Sequence, residues 1–242
     1  MSGDTAVIIP AANEADRIAA TVKAAAALPG VDLVVVVDDG SADQTGRVAR
    51  AAGARVVRHS RNRGKAAAME TGAEAVRLLD DDTISRHLLF LDADLGETAQ
   101  AAAPLIEPVR AGTADMTIAV FTTRVRLGGH GLVVRLSKEG IRRATGFTSA
   151  QPLNGQRCLT RAAFEAARPL AHGFGVETAL TIDLLRKGFR VAEVEVDMAH
   201  RATGTDWRAQ LHRARQLRDV ARALAVREPV VAENLGKLRP KR

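Results

Sequence analysis

Short apolar runs and longer segments with helical periodicity alternate along most of this chain. The apolar runs lie at residues 6–10, 31–37, 55–57, 88–91 and 116–121, and a last strand is predicted at 191–196. The segments between them, near 14–28, 45–52, 65–79 and 99–109, carry helical patterns and end at turn residues. Strands that are apolar on both faces and alternate with helices are typical of a parallel sheet covered on both sides. The pattern therefore predicts an α/β fold with a mostly parallel central sheet and helices on both faces.

The regular alternation weakens after residue 124, but no repeat or linker divides the chain. Further helices are predicted up to residue 142, over 161–168 behind an N-cap at Thr160, and from Glu177 to about residue 188. We therefore expect a single domain over residues 1–200, followed by a basic helical tail over residues 201–242.

The composition favours an aliphatic core. The chain has 242 residues, of which 46% are hydrophobic but only 3% aromatic, with no Tyr. The single cysteine, Cys158, excludes an intrachain disulfide and is expected to be a small core residue. Neither a signal-peptide pattern nor an apolar run of the roughly 18 residues needed for a membrane span is present. These features predict a soluble, cytoplasmic protein.

The positive charge belongs to the tail. Residues 201–242 carry eleven Lys or Arg and four Asp or Glu, which equals the net +7 of the whole chain, so the main body is neutral. A neutral body argues against a nucleic-acid partner. Apolar residues from Trp207 to Leu224 recur every three or four positions. We expect this stripe to pack on the domain or on a second copy in a homodimer, and the alternative is peripheral contact with an anionic membrane.

Two carboxylates follow the apolar run at residues 88–91. Asp92 and Asp94 are one residue apart, so in an extended chain they would point to the same side, beyond the carboxyl end of the strand. Open α/β sheets bind ligands at that end. Two such carboxylates suit a hard divalent ion, Mg²⁺ or Mn²⁺, that is shared with substrate phosphates.

Two common nucleotide-binding motifs are absent. The turn after the first predicted strand reads Pro10-Ala11-Ala12-Asn13-Glu14, where a dinucleotide-binding fold would carry Gly-x-Gly-x-x-Gly, and no P-loop motif occurs. A nicotinamide-dependent enzyme and a P-loop nucleotide-binding protein therefore both lose most of their support.

Four stretches in order resemble the family 2 glycosyltransferases, which have the Rossmann-like GT-A fold. They are Ile8 to Glu14, Asp38-Asp39-Gly40-Ser41-Ala42-Asp43-Gln44-Thr45, Asn62-Arg63-Gly64-Lys65 and Phe90-Leu91-Asp92-Ala93-Asp94. The resemblance covers roughly residues 5–200. It implies a metal-dependent glycosyltransferase that takes a sugar from a nucleoside-diphosphate sugar, with UDP the first choice and GDP or dTDP next.

The resemblance also implies roles for individual residues. Asp39 would accept a hydrogen bond from the base, Lys65 would lie near the diphosphate, and Asp94 would bind the metal and take part in catalysis. The remaining donor-binding residues would be Pro10, Ala11, Asn13, Glu14, Asp92 and Ala93.

The second half of the chain is similar to a narrower group, the glucosyl-3-phosphoglycerate synthases. This resemblance makes Gly155 and Gln156 substrate-binding residues, Glu177 a catalytic carboxylate and His200 a metal ligand. The residues two before and two after His200 are Met198 and Ala202, not the polar and basic groups that bind the phosphorylated acceptor in that group. The acceptor is therefore left open as an unidentified small molecule or lipid phosphate.

Three alternatives remain at this stage. A polyprenyl-phosphate sugar synthase would use the basic tail at a membrane surface. A sugar-nucleotide pyrophosphorylase shares a similar layout, but its Gly-rich turn after the first strand is absent here. A non-catalytic binding module would not need Asp92, Asp94, Glu177 and His200 together.

Overall fold

The strands and helices follow the predicted alternation. The computed structural model describes residues 4–80, 85–122, 131–198 and 207–227, and for 207–213 the backbone alone. The strands are β1 (Thr5–Ala11), β2 (Val31–Asp38), β3 (Arg55–Arg58), β4 (His87–Phe90), β5 (Met116–Phe121), β6 (Arg157–Leu159) and β7 (Val191–Val196). The helices are α1 (Ile18–Ala26), α2 (Thr45–Ala51), α3 (Lys65–Leu79), α4 (Ala103–Arg110), α5 (Gly131–Thr145), α6 (Arg161–Ala167), α7 (Val176–Arg186) and α8 (Trp207–Ala225).

The strands form one seven-stranded sheet in the order β3-β2-β1-β4-β6-β5-β7. All neighbouring pairs are parallel except the two that involve β6, which runs antiparallel to both β4 and β5. The predicted mostly parallel α/β sheet is confirmed, while β6 was missed. Three residues that include an arginine carry almost no strand signal, so this strand exists because two neighbours supply its hydrogen bonds.

Helices cover both faces of the sheet, as predicted. Alternate residues of each strand point to opposite faces, so Val7 and Ile9 pack under α1, α2 and α4, whereas Ala6 and Ile8 pack under α3, α6 and α7. Both clusters are built mainly from Val, Leu, Ile and Ala, which accords with the low aromatic content. Cys158 is fully buried in the first of them, as expected.

Two helix starts differ from the predicted ones. The α1 helix begins at Ile18 rather than near residue 14, because the backbone around Glu14 is held in a turn by side chains that follow β2. The segment predicted as one helix at 99–109 is a 3₁₀ helix over Gly96–Ala102 followed by α4, which has a proline in its first turn. The predicted cap at Thr160 is confirmed, since its side chain accepts a hydrogen bond from Ala163 N.

The C-terminal helix packs on the domain. In α8, Val220 and Leu224 are buried against α5 and α7, and Ala223 is buried beside Gly175. Leu224 lies so close to α5 that a Cβ on Gly140 would collide with it. Two residues of the predicted stripe, Ala214 and Ala221, are exposed instead, because the buried face is rotated toward residues 216, 220 and 223. None of the helices in the described ranges is long and apolar enough to cross a membrane. The predicted boundary at residue 200 lies outside the described residues.

Candidate active site

The carboxylates after β4 have different surroundings. Asp92 accepts hydrogen bonds from Lys65 Nζ (2.8 Å) and from Gln156 Nε2 (2.7 Å). The strand has ended at Phe90, and Asp94 lies in a turn, so the extended geometry assumed for the Asp-x-Asp pair is wrong. Within the described ranges the half-buried Asp94 carboxylate makes no hydrogen bond or ion pair. Of the two carboxylates, Asp94 is thus the one that no described residue holds, whereas Asp92 is held by Lys65 and Gln156.

Lys65 joins two carboxylates. It is the first residue of α3, and its ammonium lies 2.8 Å from Asp92 Oδ1 and 3.0 Å from Glu177 Oε1. Burial alone would lower the pKa of Lys65, but the charges of Asp92 and Glu177 outweigh burial and raise the pKa above its ordinary value. Lys65 is therefore a permanent cation that keeps two carboxylates close together at the carboxyl edge of the sheet.

Glu177 reaches this cluster from the other half of the chain. It lies in the first turn of α7, where the helix dipole favours a negative charge, and it is 8% exposed. A carboxylate this deeply buried requires a charged or hydrogen-bonding partner, and Lys65 provides one.

The antiparallel direction of β6 explains how Gly155 and Gln156 arrive at the same edge. Phe90, the last residue of β4, pairs with Arg157, the first residue of β6, so the residues before β6 lie next to those after β4. Gly155 packs so closely here that a Cβ would collide with Lys65 Nζ and come within 3.2 Å of the Asp92 carboxylate. A side chain at position 155 would therefore displace the Lys65–Asp92 pair.

The turns that follow β1 and β2 are bonded to each other. Asn13 adopts a positive φ of 59°, its backbone N–H donates to Ser41 Oγ (3.0 Å), and its side-chain Oδ1 accepts from Ala42 N (2.8 Å). Glu14 N donates to Thr45 Oγ1 (2.8 Å). Pro10 and Ala11 end β1, while Ala93 is buried in the turn after β4. These contacts fix the shape of the predicted base-binding loop.

Asp39 is buried, with 4% of its surface exposed. Its Oδ1 accepts from Arg63 N (2.8 Å) and lies 2.6 Å from His59 Nδ1, and its Oδ2 accepts from Gly64 N (2.8 Å). Since Gly64 directly precedes Lys65, Asp39 also anchors the start of α3 and thereby the position of the Lys65 side chain.

Arg157 was not predicted from the sequence, and it holds together two segments that carry residues of the site. Its guanidinium is 1% exposed and donates to the carbonyl oxygens of Pro152 (3.0 Å), Asn154 (2.9 Å) and Glu177 (3.0 Å) and to Thr181 Oγ1 (2.9 Å). Burial lowers the pKa of Arg157 to about 10, so it remains a cation at neutral pH. It ties the loop that carries Gln156 to the helix that carries Glu177. The one sequence signal for its burial is its position directly before Cys158, in a strand that the sequence did not predict.

The cluster opens into a cleft of about 200 Å³. Lys65, Asp92 and Glu177 form its charged side, and the remaining lining residues are Val133, Leu153, Gly173, Phe174 and Gln216. Gln216 belongs to α8, so the helix predicted as an appended tail forms part of the wall.

The site provides one carboxylate, that of Asp94, for a divalent ion. Mg²⁺ is commonly bound by one or two carboxylates together with substrate phosphates, and the Asp94 carboxylate has no partner among the described residues. Among the residues that the structure describes, no group of three His, Cys, Asp or Glu side chains could hold a metal by itself. The predicted ligand His200 lies outside the described residues, so its role stays a prediction.

Two proteins of known name are similar to this chain in sequence. Glycosyltransferase AglJ of Haloferax volcanii is 29% identical over 204 residues, which cover 83% of this chain and 64% of that protein. Glucosyl-3-phosphoglycerate synthase of Mycobacterium tuberculosis is 29% identical over 215 residues, which cover 81% of this chain and 65% of that protein. The chain thus spans slightly less than two thirds of the length of these relatives.

Solved structures of the mycobacterial synthase match most of this chain in fold. Its complex with Mn²⁺, UDP and phosphoglyceric acid matches with a TM-score of 0.73 at 27% identity, covering 93% of this chain and 78% of that one. Its complex with Mg²⁺ and UDP matches with a TM-score of 0.74 at 26% identity, covering 93% of this chain and 79% of that one. The predicted GT-A-like fold is therefore confirmed.

The sequence model of glycosyl transferase family 2 matches residues 6–154, more than half of the chain. The matched stretch contains β2 to β5, all of β1 but its first residue, and the predicted site residues Asp39, Lys65, Asp92 and Asp94, of which Lys65 and Asp92 line the cleft. The chain therefore belongs to glycosyl transferase family 2.

Proposed function

We propose that this chain transfers a hexosyl group from a nucleoside-diphosphate sugar, with a UDP-sugar as first choice, to a hydroxyl group of an acceptor. The observation that carries the proposal is the Lys65–Asp92–Glu177 cluster at the carboxyl edge of the sheet, facing the cleft. Family membership supports the donor class, and the mycobacterial relative has been crystallised with UDP-glucose.

Each part of the donor has matching groups in this chain. The base would lie against Asp39 and the Pro10–Glu14 turn, since uracil, thymine and guanine carry a ring N–H that a carboxylate can accept, whereas adenine does not. Lys65 would face the diphosphate as a point charge. The sugar would then lie at Asp92, Gly155 and the cleft.

Asp94 would hold Mg²⁺ or Mn²⁺ jointly with the donor phosphates, and His200 is the second predicted ligand. The ion supplies positive charge that offsets the charge developing on the departing nucleoside diphosphate. Structures of the mycobacterial relative with Mg²⁺ or Mn²⁺ and UDP support this assignment.

Glu177 would act beside the reacting carbon. Its carboxylate can accept a proton from the acceptor hydroxyl or stabilise positive charge that develops on the sugar. The acceptor would enter through the cleft past Val133 and Phe174. The proposed acceptor is a small molecule that carries a hydroxyl group, or a lipid phosphate.

Incubating the full chain with UDP-, GDP- and dTDP-glucose and Mn²⁺, with water in the place of the acceptor hydroxyl, and measuring the nucleoside diphosphate released by hydrolysis, tests the proposal. We expect release that is largest with the UDP-sugar, is abolished by a chelator, and is lost in Asp94→Asn. Glu97→Gln is the matched control, because Glu97 is an exposed acid three residues further on and its loss should leave release unchanged. Full release by Asp94→Asn in the presence of chelator would refute the metal role, and release with none of the donors would refute the donor class.

Two of the alternatives lose ground. Val220 and Leu224 of α8 are buried against α5 and α7, so these apolar residues are not available to a lipid surface, and membrane contact by a polyprenyl-phosphate sugar synthase would rest on the basic residues of the tail alone. A pyrophosphorylase joins a nucleoside triphosphate to a sugar phosphate and releases pyrophosphate. From a nucleoside-diphosphate sugar alone it would release no nucleoside diphosphate, so the same assay separates that reaction from transfer.

A further inference from the structure

We propose that His59 is a positioning residue that orients the Asp39 carboxylate for recognition of the nucleobase. The inference rests on the proposed function, in which Asp39 accepts the ring N–H of the donor base. His59 follows the edge strand β3 directly and is 6% exposed. Formation of the β-strand does not require a buried imidazole at its end, so the burial of His59 points to a role outside the strand.

Both ring nitrogens of His59 are engaged. Nδ1 lies 2.6 Å from Asp39 Oδ1, and Nε2 lies 2.9 Å from Thr71 Oγ1 on α3. Because a carboxylate only accepts hydrogen bonds, Nδ1 carries the proton, and in the neutral ring Nε2 accepts from the Thr71 hydroxyl. The contact with Thr71 therefore fixes the orientation of the His59 ring, and the hydrogen bond from Nδ1 in turn restrains the orientation of the Asp39 carboxylate.

The three donors around Asp39 leave a defined acceptor position. Oδ1 already accepts two hydrogen bonds, from His59 and from Arg63 N, whereas Oδ2 accepts one, from Gly64 N. A carboxylate oxygen can accept two hydrogen bonds, so the remaining capacity lies on Oδ2. The geometry assigns that position to the ring N–H of uracil, thymine or guanine.

His59 acts at a distance from the reacting sugar. None of its described hydrogen bonds involves Lys65, Asp92 or Glu177, the groups at the cleft. Loss of its contact with Asp39 is therefore expected to weaken binding of the base-bearing part of the donor, with a higher KM and an unchanged kcat.

Two amide substitutions separate this role from a general structural one. In His59→Asn the amide nitrogen can occupy the place of Nδ1 and still donate to Asp39, whereas in His59→Gln it reaches the place of Nε2, beside Thr71. The two variants are both neutral and polar, so they match each other in chemistry and differ in reach. Titration calorimetry with UDP and with inorganic pyrophosphate, each with Mn²⁺, provides the readout.

We expect His59→Asn to bind UDP as the wild type does, and His59→Gln to lose at least about tenfold in affinity, which corresponds to about 1.4 kcal/mol. Pyrophosphate lacks a base, and the bonds from Arg63 N and Gly64 N that join Asp39 to the start of α3 do not involve His59. The affinity for pyrophosphate should therefore be unchanged in both variants. Equal UDP affinity of the two variants, or a parallel loss of pyrophosphate affinity, would overturn the inference alone. A wild-type protein that binds UDP no more tightly than pyrophosphate would overturn the assigned base site and the inference with it.

Discussion

Replacing the buried Arg157 by methionine is expected to destabilise the fold and the site together. The long apolar side chain of methionine fills most of the same space, so the loss of hydrogen bonds dominates. The carbonyl oxygens of Pro152 and Asn154 accept from no other donor in the described ranges, whereas that of Glu177 still accepts from Thr181 Oγ1.

Two orphaned buried carbonyl groups set the magnitude. Each is expected to cost about 1–3 kcal/mol, so the sum is about 2–6 kcal/mol. Methionine also removes the desolvation penalty of a buried cation, which is the cause of the lowered pKa of Arg157 and offsets part of this loss. We therefore expect the free energy of unfolding to fall by about 2–5 kcal/mol, and donor turnover to fall because the loop before β6 loses its anchor.

Urea unfolding of the full chain, extrapolated linearly to water, measures the change. Arg55→Met is the matched control, because Arg55 is an exposed arginine on the edge strand β3 and its replacement should change stability by no more than about 0.5 kcal/mol. If Arg157→Met were as stable as Arg55→Met and kept full turnover, the reasoning about the buried guanidinium would be refuted.

Three further substitutions test other parts of the structure. Gly155→Ala should lower donor turnover at least about tenfold with little change in melting temperature, because the added Cβ collides with Lys65 Nζ; normal turnover would contradict the close approach. Glu177→Gln keeps the shape and removes the charge, so kcat should fall more than about tenfold, and a smaller fall would assign the catalytic carboxylate elsewhere. Thr160→Ala removes the cap of α6 and should lower the free energy of unfolding by about 1 kcal/mol, measured by urea unfolding, and an unchanged stability would show that the cap does not contribute.

The sequence predicted the parts of the site that follow long apolar strands. Asp39 and Asp92 come directly after such strands, and the carboxyl ends of parallel strands share one edge, so their approximate location could be predicted before the structure was known. Lys65 and Glu177 came from the family resemblance, and the structure brings both to Asp92.

The residues that were missed depend on long-range pairing. Arg157 lies in a three-residue strand that forms only between β4 and β5. The hydrogen-bond partners of His59, Asp39 and Thr71, are 20 and 12 residues away in the sequence. Gln216 lines the cleft because α8 folds back on α5 and α7. Local patterns carry no signal for such contacts, since tertiary packing decides them.

The place of β6 in the sheet has a consequence for synthesis on the ribosome. Domains generally fold as the chain emerges, N-terminal part first, and both β4 and β5 are complete before the strand that separates them has been made. Until residues 157–159 arrive, each of these strands keeps an unpaired edge of the kind that promotes aggregation. A chain that ends before residue 157 would also lack Glu177, the second carboxylate partner of Lys65. Premature termination there would therefore yield an aggregation-prone, chemically incomplete product, not a smaller working protein.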